Sequence, residues 1–251
     1  MHKLLNMLAR RIKYPKHSNL LNRIINQMYY SPSEVMIRKK DIDYVVMEEC
    51  KFYPSEHLNT LLRTEGNLWF EGIKEDDIVL DIGACIGSVT IPLAKKAKKV
   101  YAVEPLLHKE LRRNIELNKL TNIEVIPQGI GKGETRIEYG NCSGTALLVP
   151  FKTLLESVNE GRVDFLKMDC EGYEWEVNPE EVIGIRELRI EFHRRRGERD
   201  TRKVAEWVDF LEHNGYKVVI GRDIHKEASI LFDGIDYLRA SRKDNEYKMS
   251  K

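Results

Sequence analysis

Hydrophobic and polar positions divide the chain into two regimes. Up to about residue 55 the pattern is helical and then broken. LLNRIINQMYY keeps apolar residues three and four apart, and SPSEV at 31–35 interrupts it. VMIRKKDIDYVVMEE then carries two short strand-like pieces around Lys39, Lys40 and Asp41. EHLNTLLRTEGNLWFEG reads as a helix that frays near Gly66. From residue 76 short apolar runs alternate with amphipathic segments. DIVLDIG, KVYAVEP, NIEVIPQGI, VDFLKMD and ELRIEFH are predicted strands, and TRIEYG an extra one. SVTIPLAKKA, LHKELRRNIELNKL, FKTLLESV, PEEVIGI and TRKVAEWVDFLEHNG are predicted helices, the last with a glycine stop. YKVVIG and ASILFDGIDYLRA close the pattern as a hairpin-like pair.

Strand–helix alternation of this kind builds parallel β-α-β units with right-handed crossovers. The predicted fold is therefore α/β: a doubly wound, Rossmann-like, mostly parallel seven-stranded sheet with helices on both faces. A small helical and short-strand extension (1–55) precedes the main domain (56–240), and a polar tail (241–251) follows it. Ligands of such sheets lie at the carboxyl ends of the strands. Those ends hold Asp81, Glu104, Gln128, Asp169 and His193.

Composition narrows the picture. Hydrophobic residues make up 42% of the 251 positions and charged residues 32%, enough for a sizeable core under a charged surface. A formal net charge of +1 gives no global basic field for nucleic acid. Cys50, Cys85, Cys142 and Cys170 form no C-x-x-C pair and no zinc-type cluster, which points to a reducing, cytoplasmic setting. No segment approaches the roughly 18 apolar residues of a membrane helix. The stripe Leu4, Leu5, Met7, Leu8 and Ile12, flanked by basic residues, could rest on a membrane surface through residues 1–14, but it packs more readily on its own domain.

Two places carry chemistry. The first predicted strand runs into DIGACIGSVT, where Gly83, Ala84, Cys85 and Gly87 make a tight turn opening a helix. Glu104, followed by Pro105, ends the next strand 23 residues after Asp81, the placement of a ribose-binding acid. Cys85 stands where a dinucleotide loop wants glycine, and Asp81 puts a carboxylate where a pyrophosphate would be repelled. S-adenosylmethionine has no phosphate and carries a sulfonium and an ammonium, so it suits this loop better than NAD. No G-x-x-x-x-G-K-[ST] motif is present for ATP.

The second place is FLKMDCEGYEWEV. A mostly apolar run from Val163 to Met168 stops at Asp169 and Glu171, with Gly172 behind them. Transfer of a methyl from S-adenosylmethionine needs in-line approach to about 3–3.5 Å, and an acceptor that must lose a proton needs a base within hydrogen-bond reach. Asp169, Glu171 and His193 are the candidates, with His193 first because an unperturbed imidazole titrates near 6.5. A divalent metal bridging Asp169 and Glu171 is an alternative, not favoured because no dense ligand cluster is visible. The two acids could also simply cap the following helix.

VLDIGACIGSVT, AVEP, DFLKMDCEGYEWEV and ELRIEFH together resemble the FkbM family of class I S-adenosylmethionine methyltransferases over roughly residues 76–195. The D-x-E-G-x-E element is the most specific piece. The resemblance implies O-methyl transfer to a sugar, glycan or other small metabolite. It implies that Asp81, Gly83 and Gly87 line the methionine end and Glu104 the ribose, with Asp169, Glu171 and His193 facing the transfer site. Cys85 departs from the asparagine of many relatives. A second likeness, IPLAKKAKKVYAVEPLLHKELRRNIELNKLTNIEVI, is to archaeal tRNA methyltransferases acting on guanine N1, which makes RNA the alternative acceptor. Those enzymes carry an N-P-P-Y-type element where this chain has Asp169-Cys170-Glu171-Gly172. Five arginines between Arg194 and Arg202 could hold an anionic acceptor or could be a solvated loop paired with Glu198 and Asp200. A non-catalytic nucleotide-binding module is the remaining reading.

Overall fold

The computed structural model describes residues 35–39, 42–47, 49–53, 55, 69–139, 142–158, 162–193, 201–222 and 235–242. The helix expected before residue 31, the helix expected over 56–72 as far as residue 68, the apolar stripe of residues 1–14, the arginines from 194 to 199 and the expected tail from residue 243 lie outside them; residues 69–72 form a turn instead of continuing that helix, and Ser241 and Arg242 belong to a strand, Ile235–Arg242, instead of the tail. Contacts divide the chain into two units, 1–54 and 55–251. In the first, β1 (Val35–Lys39), β2 (Ile42–Met47) and β3 (Cys50–Phe52) form an antiparallel meander. Cys50 and Phe52 are fully buried, and the Lys51 ammonium lies over the Tyr44 ring.

The second unit holds a seven-stranded sheet made of β4 (Ile78–Ile82), β5 (Lys99–Val103), β6 (Ile123–Ile126), β10 (Phe165–Met168), β11 (Glu187–His193), β12 (Tyr216–Arg222) and β13 (Ile235–Arg242). Their order across the sheet is β12-β13-β11-β10-β4-β5-β6. All run parallel except β13, which lies antiparallel between β11 and β12. The strand order reverses between β4 and β10, and the crevice at such a reversal is where doubly wound folds bind ligands.

NIEVIPQGI is not one strand. Pro127 has no N–H to continue a ladder, and the chain leaves the main sheet there. β7 (Gly129–Ile130) pairs instead with β9 (Cys142–Val149), which also pairs with β8 (Gly133–Tyr139), the extra strand expected at TRIEYG. α1 (Thr90–Ala94) is shorter than SVTIPLAKKA implies, and all five of its residues are buried. Lys96 and Ala97 both turn their N–H onto Leu93 O, and the Asn122 side chain donates to the Ala94 and Ala97 carbonyls, so the helix is closed off early. α2 (His108–Asn118), α3 (Phe151–Ser157) and α4 (Thr201–His213) follow the predicted helices. PEEVIGI makes only a one-turn 3-10 helix, Pro179–Val182, with an Asn178/Glu181 capping box.

Alternation along each strand builds two cores. Ile78, Leu80, Ile82, Leu166, Met168, Leu188, Ile190 and Phe192 share one cluster with Val204, Trp207 and Leu211 of α4. Val79, Val100 and Phe165 share the other with Trp69, Phe70 and Leu93 of α1. On the face opposite Leu188, Ile190 and Phe192, β11 presents Glu187, Arg189, Glu191 and His193 instead of apolar residues. The register sets Lys167 beside Asp81 on one side and Arg189 on the other. Two residues further along the same face stand Gly83, Asp169, Glu191 and Tyr237. Among the described residues no helix is long and apolar enough to cross a membrane.

Candidate functional site

Gly83, Cys85 and Gly87 all have left-handed backbones, with φ of 77°, 51° and 96°. Gly83 cannot be replaced without displacement: a Cβ there would sit 1.7 Å from the Asp169 carbonyl oxygen. The loop and the end of β10 are thus pressed backbone to backbone. Four N–H groups of this turn are engaged within the protein. Gly83 and Ala84 N–H donate to Val103 O, Gly87 N–H to Ala84 O and Cys85 N–H to Glu104 Oε2. A pyrophosphate needs such donors free. S-adenosylmethionine has no pyrophosphate to cradle, so these engaged donors fit that cofactor better than a dinucleotide.

Glu104 also accepts from Leu106 N–H and Leu107 N–H through Oε1, at 2.7 and 2.9 Å. Its carboxylate therefore pins the loop to the end of β5, leaving Oε2, with one donor, as the oxygen that can take a hydroxyl. Pro105 packs against Gly129 and holds His108 through its carbonyl. Gln128, expected at a strand end, lies in the link between β6 and β7 and is partly buried. Asp81 is fully buried, held by the Thr90 hydroxyl on Oδ2 and by Lys167 Nζ 3.3 Å from Oδ1. Asp81 thus supports the loop from beneath rather than lining its surface.

The carboxyl ends of β10 and β11 bring the three sequence-predicted transfer-site residues together. His193 Nε2 lies 3.8 Å from Asp169 Oδ1, 3.6 Å from Glu171 Oε2 and 3.4 Å from Glu191 Oε1. Glu171 and Gly172 take consecutive left-handed φ values, 57° and 98°, which folds the chain back over the strand end. The fold-back is secured by Glu174. This side chain is wholly buried and accepts Cys170 N–H at 2.7 Å and Gly172 N–H at 2.8 Å, while His193 Nδ1 approaches it at 3.0 Å. Trp175 Nε1–H donates to His193 O at 2.6 Å, and its ring packs on Phe192.

Charge states follow from this crowding. Burial alone would lower the His193 pKa. The hydrogen bond to Glu174 and the charges of Asp169, Glu174 and Glu171 outweigh it and raise the pKa to about 10. The imidazole assigned from sequence as the base therefore already carries its proton at neutral pH. Burial and the Asp169 charge push Glu191 up to about 8, against the opposing pull of His193. Burial raises Glu171 too, with His193 opposing. Glu174 is lowered, because His193 and the backbone N–H groups overcome its burial. Burial raises the Cys170 thiol, which suits a packed residue and not a nucleophile. Asp169, Glu174 and His193 could place three donor atoms within 4.8 Å of one another for a metal. Glu174, however, already binds two backbone N–H groups and the His193 imidazole, so its carboxylate is committed within the protein.

Three residues of the site escaped the sequence reading: Lys167, Glu174 and Glu191. Lys167 and Glu191 each lie two positions before a named residue, Asp169 and His193, and so share its face. That periodicity was the available signal. Glu174 is the closing acid of the D-x-E-G-x-E element, and only the fold-back shows that it points inward.

Residues 147–218 match the Methyltransferase FkbM domain, and residues 64–130 match the TRM5/TYW2 methyltransferase domain. A probable ribosomal RNA small subunit methyltransferase A from Methanosphaera stadtmanae is 50% identical over 56 residues, 22% of this chain and 21% of that protein. An uncharacterized protein of Methanocaldococcus jannaschii is 45% identical over 104 residues, 39% of each chain. The crystal structure of wild-type Trm5b from Pyrococcus abyssi superposes with a TM-score of 0.48 and 21% identity, over 83% of this chain and 56% of that one. The chain spans well under half the length of those two sequence relatives.

Proposed function

We propose, from the premise that this chain is a class I S-adenosylmethionine-dependent methyltransferase with an FkbM-domain match over residues 147–218, that it transfers a methyl group at the carboxyl ends of β10 and β11. The observation that carries the reading is the loop of Gly83–Gly87 pressed against Asp169, beside the cluster that Glu171 and Glu191 form around His193. Gly83, Ala84, Cys85, Gly87, Glu104, Pro105, Gln128 and Asp169 would hold the cofactor, which supplies an electrophilic methyl on a sulfonium. The acid-rich walls favour that positive charge. Asp169 lies at the junction of loop and cluster and orients the reacting end. Glu171 Oε2, on a half-exposed side chain, takes the acceptor proton. Its raised pKa brings it nearer the working pH of a general base than an ordinary carboxylate. His193, already charged, steadies Glu171 and Asp169 instead of acting as the base.

RNA is the acceptor class that the relatives' names support better than a sugar. One is the probable ribosomal RNA methyltransferase, and another is a tRNA(Phe) aminocarboxypropyltransferase of Methanocaldococcus jannaschii, 51% identical over 54 residues. Phosphates would be repelled by the acid cluster, so an RNA would present a base or ribose to it. The second reading, O-methylation of a glycan or metabolite hydroxyl, is supported by the FkbM match, which spans Asp169 to His193. Calorimetry with S-adenosylhomocysteine and with NAD tests the cofactor: micromolar binding of the first alone is expected, and binding of NAD alone or of neither overturns the reading. Labelled methyl transfer to bulk tRNA and rRNA, with neutral and phosphorylated glycans in parallel, then decides the acceptor.

A further inference from the structure

Lys167 occupies the middle of a buried strand with 2% of its side chain exposed. Nothing in the chemistry above uses it, and a buried ammonium must be compensated. Its surroundings are specific. Nζ donates to Gly83 O at 2.8 Å and lies 3.5 Å from Ile82 O. It stands 3.3 Å from Asp81 Oδ1 and 3.7 Å from Asp169 Oδ2, beneath the face of Trp69. Among the described residues Asp81 Oδ1 has no hydrogen-bond partner, and its compensation comes from this ion pair. One ammonium thus touches the loop backbone, the acid under the loop and the acid at the strand end. We infer that Lys167 is a positioning residue for the methyl donor: it fixes the Gly83 carbonyl and Asp169, and its charge tempers the preference of the site for a sulfonium over a thioether.

The inference rests on the methyltransferase reading. S-adenosylmethionine and S-adenosylhomocysteine share their nucleoside and amino acid ends and differ by one positive charge at sulfur. A cation resting near Asp169 feels the carboxylate and, just behind it, the ammonium of Lys167. With that ammonium present the donor is held less tightly relative to its neutral product than the acids alone would hold it. Substrate affinity is thereby kept from exceeding what turnover can use. A merely structural lysine would affect both ligands alike.

The test is calorimetric titration with S-adenosylmethionine and S-adenosylhomocysteine, without acceptor, on the wild-type chain, Lys167→Met, Asp81→Asn and the double variant. The readout is the ratio of the two dissociation constants. Lys167→Met should weaken both ligands through the lost Gly83 contact, yet shift the ratio about fivefold or more toward S-adenosylmethionine, as expected for one nearby charge at an intermediate dielectric. Asp81→Asn should shift the ratio the opposite way, and the double variant should return it to within about twofold of wild type. If Lys167→Met fails to fold, Lys167→Gln, which removes the charge but keeps an N–H for the Gly83 carbonyl, is read for the same shift. An unchanged ratio in every folded variant overturns the inference. A wild-type chain that binds neither ligand instead overturns the methyltransferase reading beneath it.

Discussion

Glu174→Gln tests the architecture of the site most directly. The wild-type carboxylate accepts two backbone N–H groups, from Cys170 and Gly172, and neutralises the His193 imidazolium. An amide has one acceptor oxygen, so its NH2 must face one of these donors at a side chain with no exposure to water. Hydrogen bonds to a charged group are worth about 1.5–3 kcal/mol each, and stranding one partner of a buried ion pair costs about 3–5 kcal/mol. Because the amide keeps one bond and His193 can shed its proton, the expected loss is about 3 kcal/mol, read as a shift in the urea midpoint at pH 7. His193 should titrate well below about 10 in the variant, measured by NMR of the imidazole, since Glu174 supplies two of the influences that raise it. The pH dependence of stability carries a matching sign. His193 in the folded chain holds its proton up to about 10 against 6.5 when unfolded. Its contribution is therefore fully present below pH 6.5 and lost as the pH rises through about 10. Glu191, raised from 4.5 to about 8, adds a decline of the same sign over its own interval. Wild-type stability should fall from pH 6.5 to 10, and less steeply in Glu174→Gln. A variant within about 1 kcal/mol of wild type, with His193 titrating unchanged, would refute the anchoring role.

Glu171→Gln changes a half-exposed side chain, so unfolding should move by less than about 0.5 kcal/mol while turnover falls about a hundredfold; full turnover would move the base elsewhere. Gly83→Ala must push the loop off the Asp169 carbonyl at a left-handed φ, costing about 3 kcal/mol or more and abolishing S-adenosylhomocysteine binding; calorimetry on the folded variant reads both losses. Glu104→Ala releases three backbone N–H groups, so it should weaken S-adenosylhomocysteine at least tenfold and also lower the melting temperature. A change in affinity alone would mean that the carboxylate serves the ligand and not the loop.

The parts of the fold that sequence made legible are those governed by alternation. Ile78, Leu80 and Ile82 announce β4 without any tertiary knowledge, and Asp81 and Glu104 mark strand ends because acids rarely interrupt buried runs. Pro127 was a visible break, but where the chain goes after it depends on a partner, β9, whose CSGTALLV alternates in burial but only weakly in residue type. The gathering of Asp169, Glu171 and His193 followed from strand ends alone. Their protonation did not. Whether an imidazole is a base or a fixed cation depends on how many carboxylates surround it, and Glu174 and Glu191 arrive through a left-handed turn and a strand register. Lys167 was hidden by the company it keeps: between Leu166 and Met168 it reads as a lapse in an apolar run, and only the neighbouring strand supplies Asp81 to receive it.

The antiparallel strand β13 has a bearing on synthesis. It fills the space between β11 and β12 although it is the last of the seven to be made. A chain emerging from the ribosome can lay down β4, β5, β6, β10 and β11 in turn, but the outer edge of β11 stays open until residues 235–242 appear. β12, made earlier, has no strand to pair with until then. Tyr237, which pairs in register with Glu191 and hydrogen-bonds to it, arrives in the same stroke. The acid cluster is therefore completed only as the final strand is threaded in. A nascent or truncated chain ending before Ile235 keeps a bare sheet edge, open to adventitious strand pairing, beside an unfinished site.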